Sequence, residues 1–200
     1  MLKKFKNNRF IRGLWVLFVE QFGHSKSKFG YIADDVLIYP PTYISNPKNV
    51  YLYGNNAFNH AIILTTNAKF IMKANSYSAF GLKVITGNHA RIVGVFSRNI
   101  TEEMKPKGMD KDVVVESDVW IGCNVTLLAG VTLGRGCTVA AGAVVSKNIP
   151  PYCICGGVPA KFIKFYWTID QIMEHESKLY PVEERYTKEQ LEEIFNQYKK

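Results

Sequence analysis

Long apolar runs are missing from this chain of 200 residues. The longest near the start, Leu14 to Val19, has six residues, where a membrane span needs about 20 and a secretory core about 7–15. Neither a span nor a cleaved leader is expected. Cysteine is sparse, and Cys123, Cys137, Cys153 and Cys155 form no C-x-x-C pair, which argues against a disulfide scaffold or a zinc site and for a reducing, cytoplasmic setting. No basic stripe interleaved with aromatics appears, so nucleic acid is not an expected partner. The 15 Gly and 8 Pro are ordinary numbers and exclude collagen-like and low-complexity chains. What the chain does have is 47% apolar and 21% charged residues, enough to bury roughly 70% of the surface it exposes when unfolded.

The formal charge of +8 is unevenly placed. Residues 1–28 hold Lys3, Lys4, Lys6, Arg9, Arg12, Lys26 and Lys28 against Glu20 alone, a net +6, whereas the segment from Asp170 onward is net −3. The middle, 29–169, is net +5. A mildly basic middle suits an anionic ligand such as a phosphorylated cofactor, and a basic N-terminal segment suits either contact with acidic lipid or plain solubility.

Residues 115–150 repeat every six. Position one of successive hexads is Val115, Ile121, Leu127, Leu133, Val139 and Val145, and position five is Val119, Val125, Val131, Cys137, Ala143 and Ile149. All twelve are apolar, against seven of the other twenty-four. Position four reads Asp118, Asn124, Gly130, Gly136, Gly142 and Asn148, the residue types that best tolerate a left-handed turn. A short strand, a tight corner and another strand, with one large and one small residue inward, wind into a stacked β-solenoid. Further hexads begin at Met72, Ser78 and Val84, the last placing Asn88 inward and His89 outward. Weaker ones begin at Ile32, Leu52 and Leu64, with extra residues at corners shifting the phase.

Flanking segments follow other periods. Ile11, Leu14, Trp15, Phe18 and Phe22 share one helical face, so 1–28 reads as a basic helical segment. The solenoid is expected over 29–165, interrupted by a polar loop at 90–114 that is either functional or disordered. Over 166–200, Thr168 with Gln171 and Thr187 with Gln190 are capping boxes for two further helices.

The runs Asp118 to Gly122, Leu127 to Val131, Ala141 to Lys147, Ile149-Pro150 and Gly157 to Lys161, preceded by Thr86 to His89, resemble the hexapeptide-repeat acyltransferases of the maltose, galactoside and bacterial surface-polysaccharide O-acetyltransferase kind. The resemblance covers about 70–165. It implies a left-handed parallel β-helix, a homotrimer with sites in the subunit clefts, and acetyl-CoA as co-substrate with no metal. It assigns His89 as the general base that takes the acceptor hydroxyl's proton. Trp120 falls at the cofactor groove, Ala141 against the pantetheine arm, and Ser146, Lys147 and Lys161 toward the adenosine end. The bare residues agree with such a ligand, since Ala140, Ala141 and Gly142 make low walls while Ser146, Lys147 and Lys161 offer a hydroxyl and two cations. An asparagine thirty residues before the histidine contacts the sugar in the galactoside relatives, and here that spacing falls on Asn59. Asn88 or a neighbouring backbone N–H is the expected donor to the oxyanion.

The expected reaction is acetyl transfer from acetyl-CoA to a sugar hydroxyl, in surface-polysaccharide assembly at the inner face of the membrane. Two alternatives stay open: an amino-sugar N-acetyltransferase and a non-catalytic trimeric β-helix module. Zinc chemistry of the γ-carbonic-anhydrase kind would need three converging histidines. Here His60 is the reserve catalytic candidate, and His24 and His175 are read as structural.

Overall fold

The computed structural model describes residues 9–23 and 25–198; Lys3, Lys4, Lys6 and His24 lie outside them. Helix α1 (Arg9–Phe22) leads to a parallel β-solenoid of about six turns. Its strands are β1 (Tyr31–Ile32), β2 (Leu37–Tyr39), β3 (Tyr43–Ile44), β4 (Val50–Leu52), β5 (Ala57–Asn59), β6 (Ile62–Leu64), β7 (Phe70–Met72), β8 (Tyr77–Phe80) and β9 (Lys83–Ile85), then, past the loop, β10 (Val113–Val115), β11 (Trp120–Ile121), β12 (Thr126–Leu127), β13 (Thr132–Leu133), β14 (Thr138–Val139), β15 (Val144–Val145), β16 (Cys153–Gly156) and β17 (Lys161–Phe165). Successive strands pass to successive faces. Face one is β1-β4-β7-β10-β13, face two β17-β16-β14-β11-β8-β5-β2, and face three β15-β12-β9-β6-β3. Every pairing is parallel except β16 with β17, which ends the winding. This is the parallel β-solenoid expected from the hexads, and it is consistent with the left-handed β-helix that the resemblance implies.

The inward residues stack in columns. On face three Ile44, Ile63, Val84, Leu127 and Val145 lie in register; on face one, Leu52, Met72, Val115 and Leu133. All twelve predicted inward positions between 115 and 149 are buried. Each fully buried Val, Ile or Leu contributes about 1.5–3 kcal/mol, which no two-residue strand could secure alone. Five of the six position-four residues, Asp118, Asn124, Gly130, Gly136 and Gly142, have φ between 55° and 85°. Asn148 does not. Its Oδ1 accepts from the Thr132 N–H at 2.9 Å instead, and the Pro150-Pro151 pair follows.

Upstream the sequence phase needs correction at two places. The residue facing inward from β6 is Ile63, with Leu64 outward, because the corner before β7 holds extra residues. Asn88, expected inward, is exposed, since the chain has already left the coil at Gly87. A register shift between β5 and β8 pairs Phe80 with Asn59, and Phe80 faces outward.

Beyond β17 come α2 (Ile169–Leu179) and α3 (Lys188–Tyr198). Both predicted capping boxes form: Gln171 N–H donates to Thr168 Oγ1 and Gln190 N–H to Thr187 Oγ1, each at 3.3 Å. These helices bury Ile172 and Leu191 against Tyr152 in a second, smaller core. Beneath α2 lies a buried charge, Glu176, whose Oε1 accepts from Arg135 Nη1 (3.0 Å) and the Tyr152 hydroxyl (2.7 Å) while Oε2 accepts from the Tyr186 N–H (2.5 Å). Burial, with Glu176 adjacent, pushes the Tyr152 hydroxyl's pKa far up.

Candidate active site

The polar loop at 90–114 is built rather than loose at its base, and that base is where His89 sits. After β9, Thr86 is still in the coil: its N–H and hydroxyl both donate to the Leu64 carbonyl. Gly87, Asn88 and His89 then turn off the face, and Asn88 and His89 are exposed. The chain returns at Met109, Asp110 and Lys111. Asp110 Oδ1 accepts from the Asn88 N–H at 2.7 Å, Asn88 Nδ2 donates to the Met109 carbonyl at 2.8 Å, and the Lys111 N–H donates to the Thr86 carbonyl at 3.0 Å.

Asp110 is the node of this arrangement. Both its oxygens face Lys105 Nζ at 2.7 Å, and Oδ2 also accepts from Asn67 Nδ2 at 2.8 Å. The Lys105 and Asp110 side chains are 11% and 12% exposed. Burial alone would raise the Asp110 pKa, but the hydrogen bonds from Lys105, Asn67 and the Asn88 N–H, with the Lys105 charge, outweigh it and hold the carboxyl below its usual range. The residue beside His89 is thereby tied to three segments distant in sequence. The loop's far part is exposed and apolar at Val93 and Phe96.

A second concentration of side chains lies at the corner between faces two and three. Phe80, facing outward at the register shift, lies over His60, ring centroids 4.4 Å apart. His60 has a left-handed φ of 51°, and its Nδ1 is hydrogen-bonded to Asn59 Oδ1. Around them Pro41, Tyr43, Ile62, Gly81, Lys83 and Asn124 close a cavity of about 550 Å³. Gly81 suits this corner because its φ of 84° is left-handed, and a Cβ there would also push the Asn124 side chain aside. Lys83 is the cavity's cation, with no carboxylate in its lining.

The remaining predicted residues occupy several places. Trp120 is exposed on face two between Tyr77 and Thr138. Asn59 ends β5 on the same face, beside Tyr39 and Phe80. Ala141 is exposed at the corner between β14 and β15, directly over Gly122, where an added Cβ would approach its nitrogen to 2.6 Å. Ser146 and Lys147 are exposed just after β15, and Lys161 opens β17 opposite Gly156. The turn between them is docked on face three, with Val144 N–H donating to the Gly157 carbonyl (3.1 Å) and Ala160 N–H to the Val144 carbonyl (2.8 Å). This outer wall has small residues in Ala140, Ala141, Gly142 and Gly157, with a hydroxyl and cations at its rim. It suits an extended ligand with amides to bond and phosphates at one end.

Within one chain the structure joins Asn88 to His89's surroundings and Asn59 to His60, but it does not bring His89 into the cavity. Lys83 and His89 are six residues apart, up to about 20 Å in extended chain. Lys105, which with Arg91 and Arg98 reads from sequence as a loop cation for an anionic sugar or as ordinary loop charge, is paired with Asp110; sequence reasoning missed Asp110 and the Phe80, Lys83 and Asn124 lining. Asn124 carried a signal only as a corner residue, and the pairing of Asp110 with Asn88 spans 22 residues of irregular chain. Among the described residues no three His, Cys, Asp or Glu side chains converge as a metal site.

Residues 112–147 match the sequence profile of the bacterial transferase hexapeptide family (six repeats). A putative acetyltransferase of Saccharomyces cerevisiae is 29% identical over 137 residues, 68% of this chain and 65% of that one. The chain therefore spans slightly less than two thirds of that relative's length. Among solved structures, a maltose O-acetyltransferase from Clostridium difficile superimposes with a TM-score of 0.60 at 22% identity, covering 83% of this chain and 82% of that one. A hexapeptide-repeat acetyltransferase from Vibrio cholerae, complexed with acetyl coenzyme A, gives 0.64 at 22% identity, covering 81% and 92%.

Proposed function

We propose, from the premise that this chain belongs to the hexapeptide-repeat transferases, that it moves the acetyl group of acetyl-CoA to a hydroxyl of a sugar acceptor. The observation that carries the reading is the exposed His89 on a corner that a partly buried ion pair holds in place. In the proposed reaction His89 takes the acceptor hydroxyl's proton as its oxygen attacks the thioester carbonyl. The tetrahedral intermediate collapses with rupture of the C–S bond, and the imidazolium returns the proton to the departing thiolate. Such a base typically contributes about 10²–10⁴ in rate. Asn88, fixed by Asp110 and Met109, is the candidate donor to the oxyanion. Asp110 is a positioning residue, acting on His89 through Asn88.

Trp120, Ala141, Ser146, Lys147 and Lys161 are proposed to hold the CoA moiety, with the lysines on its phosphates. The His60 cavity, with Asn59 behind it, is proposed as the acceptor subsite, its aromatic walls Tyr43 and Phe80 packing against a pyranose and Lys83 meeting an anionic substituent. Because His89 and this cavity stand at opposite edges of face three, one site using both needs two chains. A homotrimer with three clefts supplies that arrangement. The acceptor proposed is a lipid-linked or nucleotide-linked sugar of surface-polysaccharide assembly, acetylated at the inner face of the membrane.

Calorimetric titration with acetyl-CoA, without acceptor, tests the class: saturation near one per chain is expected, and absence of binding by folded protein refutes it. Hydroxylamine-labile acetyl product identifies an ester; a stable product would make the chain an N-acetyltransferase.

A further inference from the structure

We propose that α1 is a docking surface for an anionic lipid bilayer, a reading that stands on the helix and not on the transfer reaction. Large apolar side chains mostly fill the solenoid columns and the C-terminal core, and exposed ones such as Phe80, Phe96 and Trp120 lie apart on separate strands and loops. On α1 such side chains are turned out: Phe10, Leu14, Trp15, Leu17 and Phe18 are 73%, 52%, 59%, 62% and 52% exposed. At 100° per residue Phe10, Ile11, Leu14, Trp15, Leu17 and Phe18 fall on one broad arc, while the positions of Arg9, Arg12 and Gly13 fall on the opposite one together with the smaller Val16.

The charge pattern selects the occupant. The first turn of α1 has no acidic residue, Glu20 is the lone acid among residues 1–28, and the segment is net +6. Lys28 Nζ stands 6.0 Å from the Trp15 ring centroid, so a cation accompanies the aromatic end of the helix. Aromatic and leucine side chains on one arc, in a segment of net basic charge, match a helix lying in the headgroup boundary of acidic lipid. A second copy of α1 is a poorer occupant, because two segments of charge +6 would be brought face to face. The 14 residues of α1 extend about 21 Å, and no described helix is long and apolar enough to cross a membrane. The helix would lie on the bilayer, not through it.

Sedimentation of the full chain with phosphatidylcholine vesicles, with and without 30% phosphatidylglycerol (a composition of about one acidic lipid in three), tests this at low and high salt. Expected is at least about tenfold stronger partition onto the acidic vesicles, weakened by salt, and lost to a similar extent in Leu14→Ser/Trp15→Ser and Arg9→Gln/Arg12→Gln variants. Both pairs lie outside the proposed site, so acetyl-CoA binding in solution should be unchanged and reports that the chain is folded. Equal partition onto neutral and acidic vesicles, or none, overturns the proposal. So does a Leu14→Ser/Trp15→Ser variant that keeps vesicle binding but changes its sedimentation mass, which would assign the helix to contact between copies.

Discussion

Removing the Glu176 carboxylate should cost more stability than any other single side-chain change at the C-terminal end. Glu176 is 1% exposed and receives Arg135, the Tyr152 hydroxyl and the Tyr186 N–H. Breaking a buried pair by deleting one partner costs about 3–5 kcal/mol, most of it from the charge left behind. In a Glu176→Ala chain Arg135 would keep its bond to the Glu184 carbonyl at 2.8 Å and its place over the Tyr180 ring at 4.1 Å. The lower end, about 3 kcal/mol, is therefore expected. For a chain of this length that is a fall in Tm of about 6–12 °C. Glu176→Gln retains an acceptor for Tyr152 and should lose about half as much. Differential scanning calorimetry measures both, and an Arg135→Met/Glu176→Ala pair should recover part of the loss because no uncompensated charge remains. A Glu176→Ala loss below about 1 kcal/mol, the range of exposed pairs, or strict additivity in the cycle, would refute the assignment of this network as a buried, coupled unit.

Other expectations follow from the site and the core. His89→Ala should lower kcat by about 10²–10⁴ while acetyl-CoA affinity and Tm stay unchanged; an equal loss of cofactor affinity contradicts its role as base. Asp110→Asn should lower kcat with little change in KM for acetyl-CoA, and Asp110→Glu should restore part of it; unchanged kcat while His89→Ala is inactive removes Asp110 from the mechanism without touching His89. Because the folded Asp110 pKa is depressed, its contribution is full above the unfolded carboxylate value of about 3.9 and is lost as pH falls through the lower folded value. Hydrogen exchange over residues 86–111, corrected for intrinsic rates, should show protection held down to about pH 4; loss already between pH 6 and 5 contradicts the anchor. Burial pushes the Cys155 thiol up to about 11 and raises Cys137 and Cys153 as well, whereas Cys123 is exposed. A disulfide reagent at pH 8 should therefore titrate one thiol in native protein and four in denaturant. Leu127→Ala, in the middle of the face-three column, should destabilise by about 2–5 kcal/mol, read from the denaturation midpoint.

The hexads between 115 and 150 determined their own outcome, because each one carries both its inward pair and its corner residue within six positions, and a corner at Asp118 or Gly130 needs nothing distant to form. The capping boxes at Thr168 and Thr187 were equally local, a hydroxyl and an amide three residues apart. From phase came only the outward direction of His89, since the chain leaves the coil at Gly87 and exposes Asn88 as well. What surrounds His89 did not come from it. Asp110 reaches Asn88 only because the loop between them closes on itself, and neither the path of irregular chain nor the meeting of Lys105, Asn67 and Asp110 has a period to betray it. The cavity beside His60 depends on a register shift between two coils, a property of pairing and not of either strand. Glu176 is one acid among eight in the last segment until α2 folds over Arg135 and Tyr152, 41 and 24 residues away. Repetition and capping are short-range energies written in adjacent residues. The polar nodes that hold the candidate site and the C-terminal helices arise from desolvation and distance, which exist only once the coils have stacked.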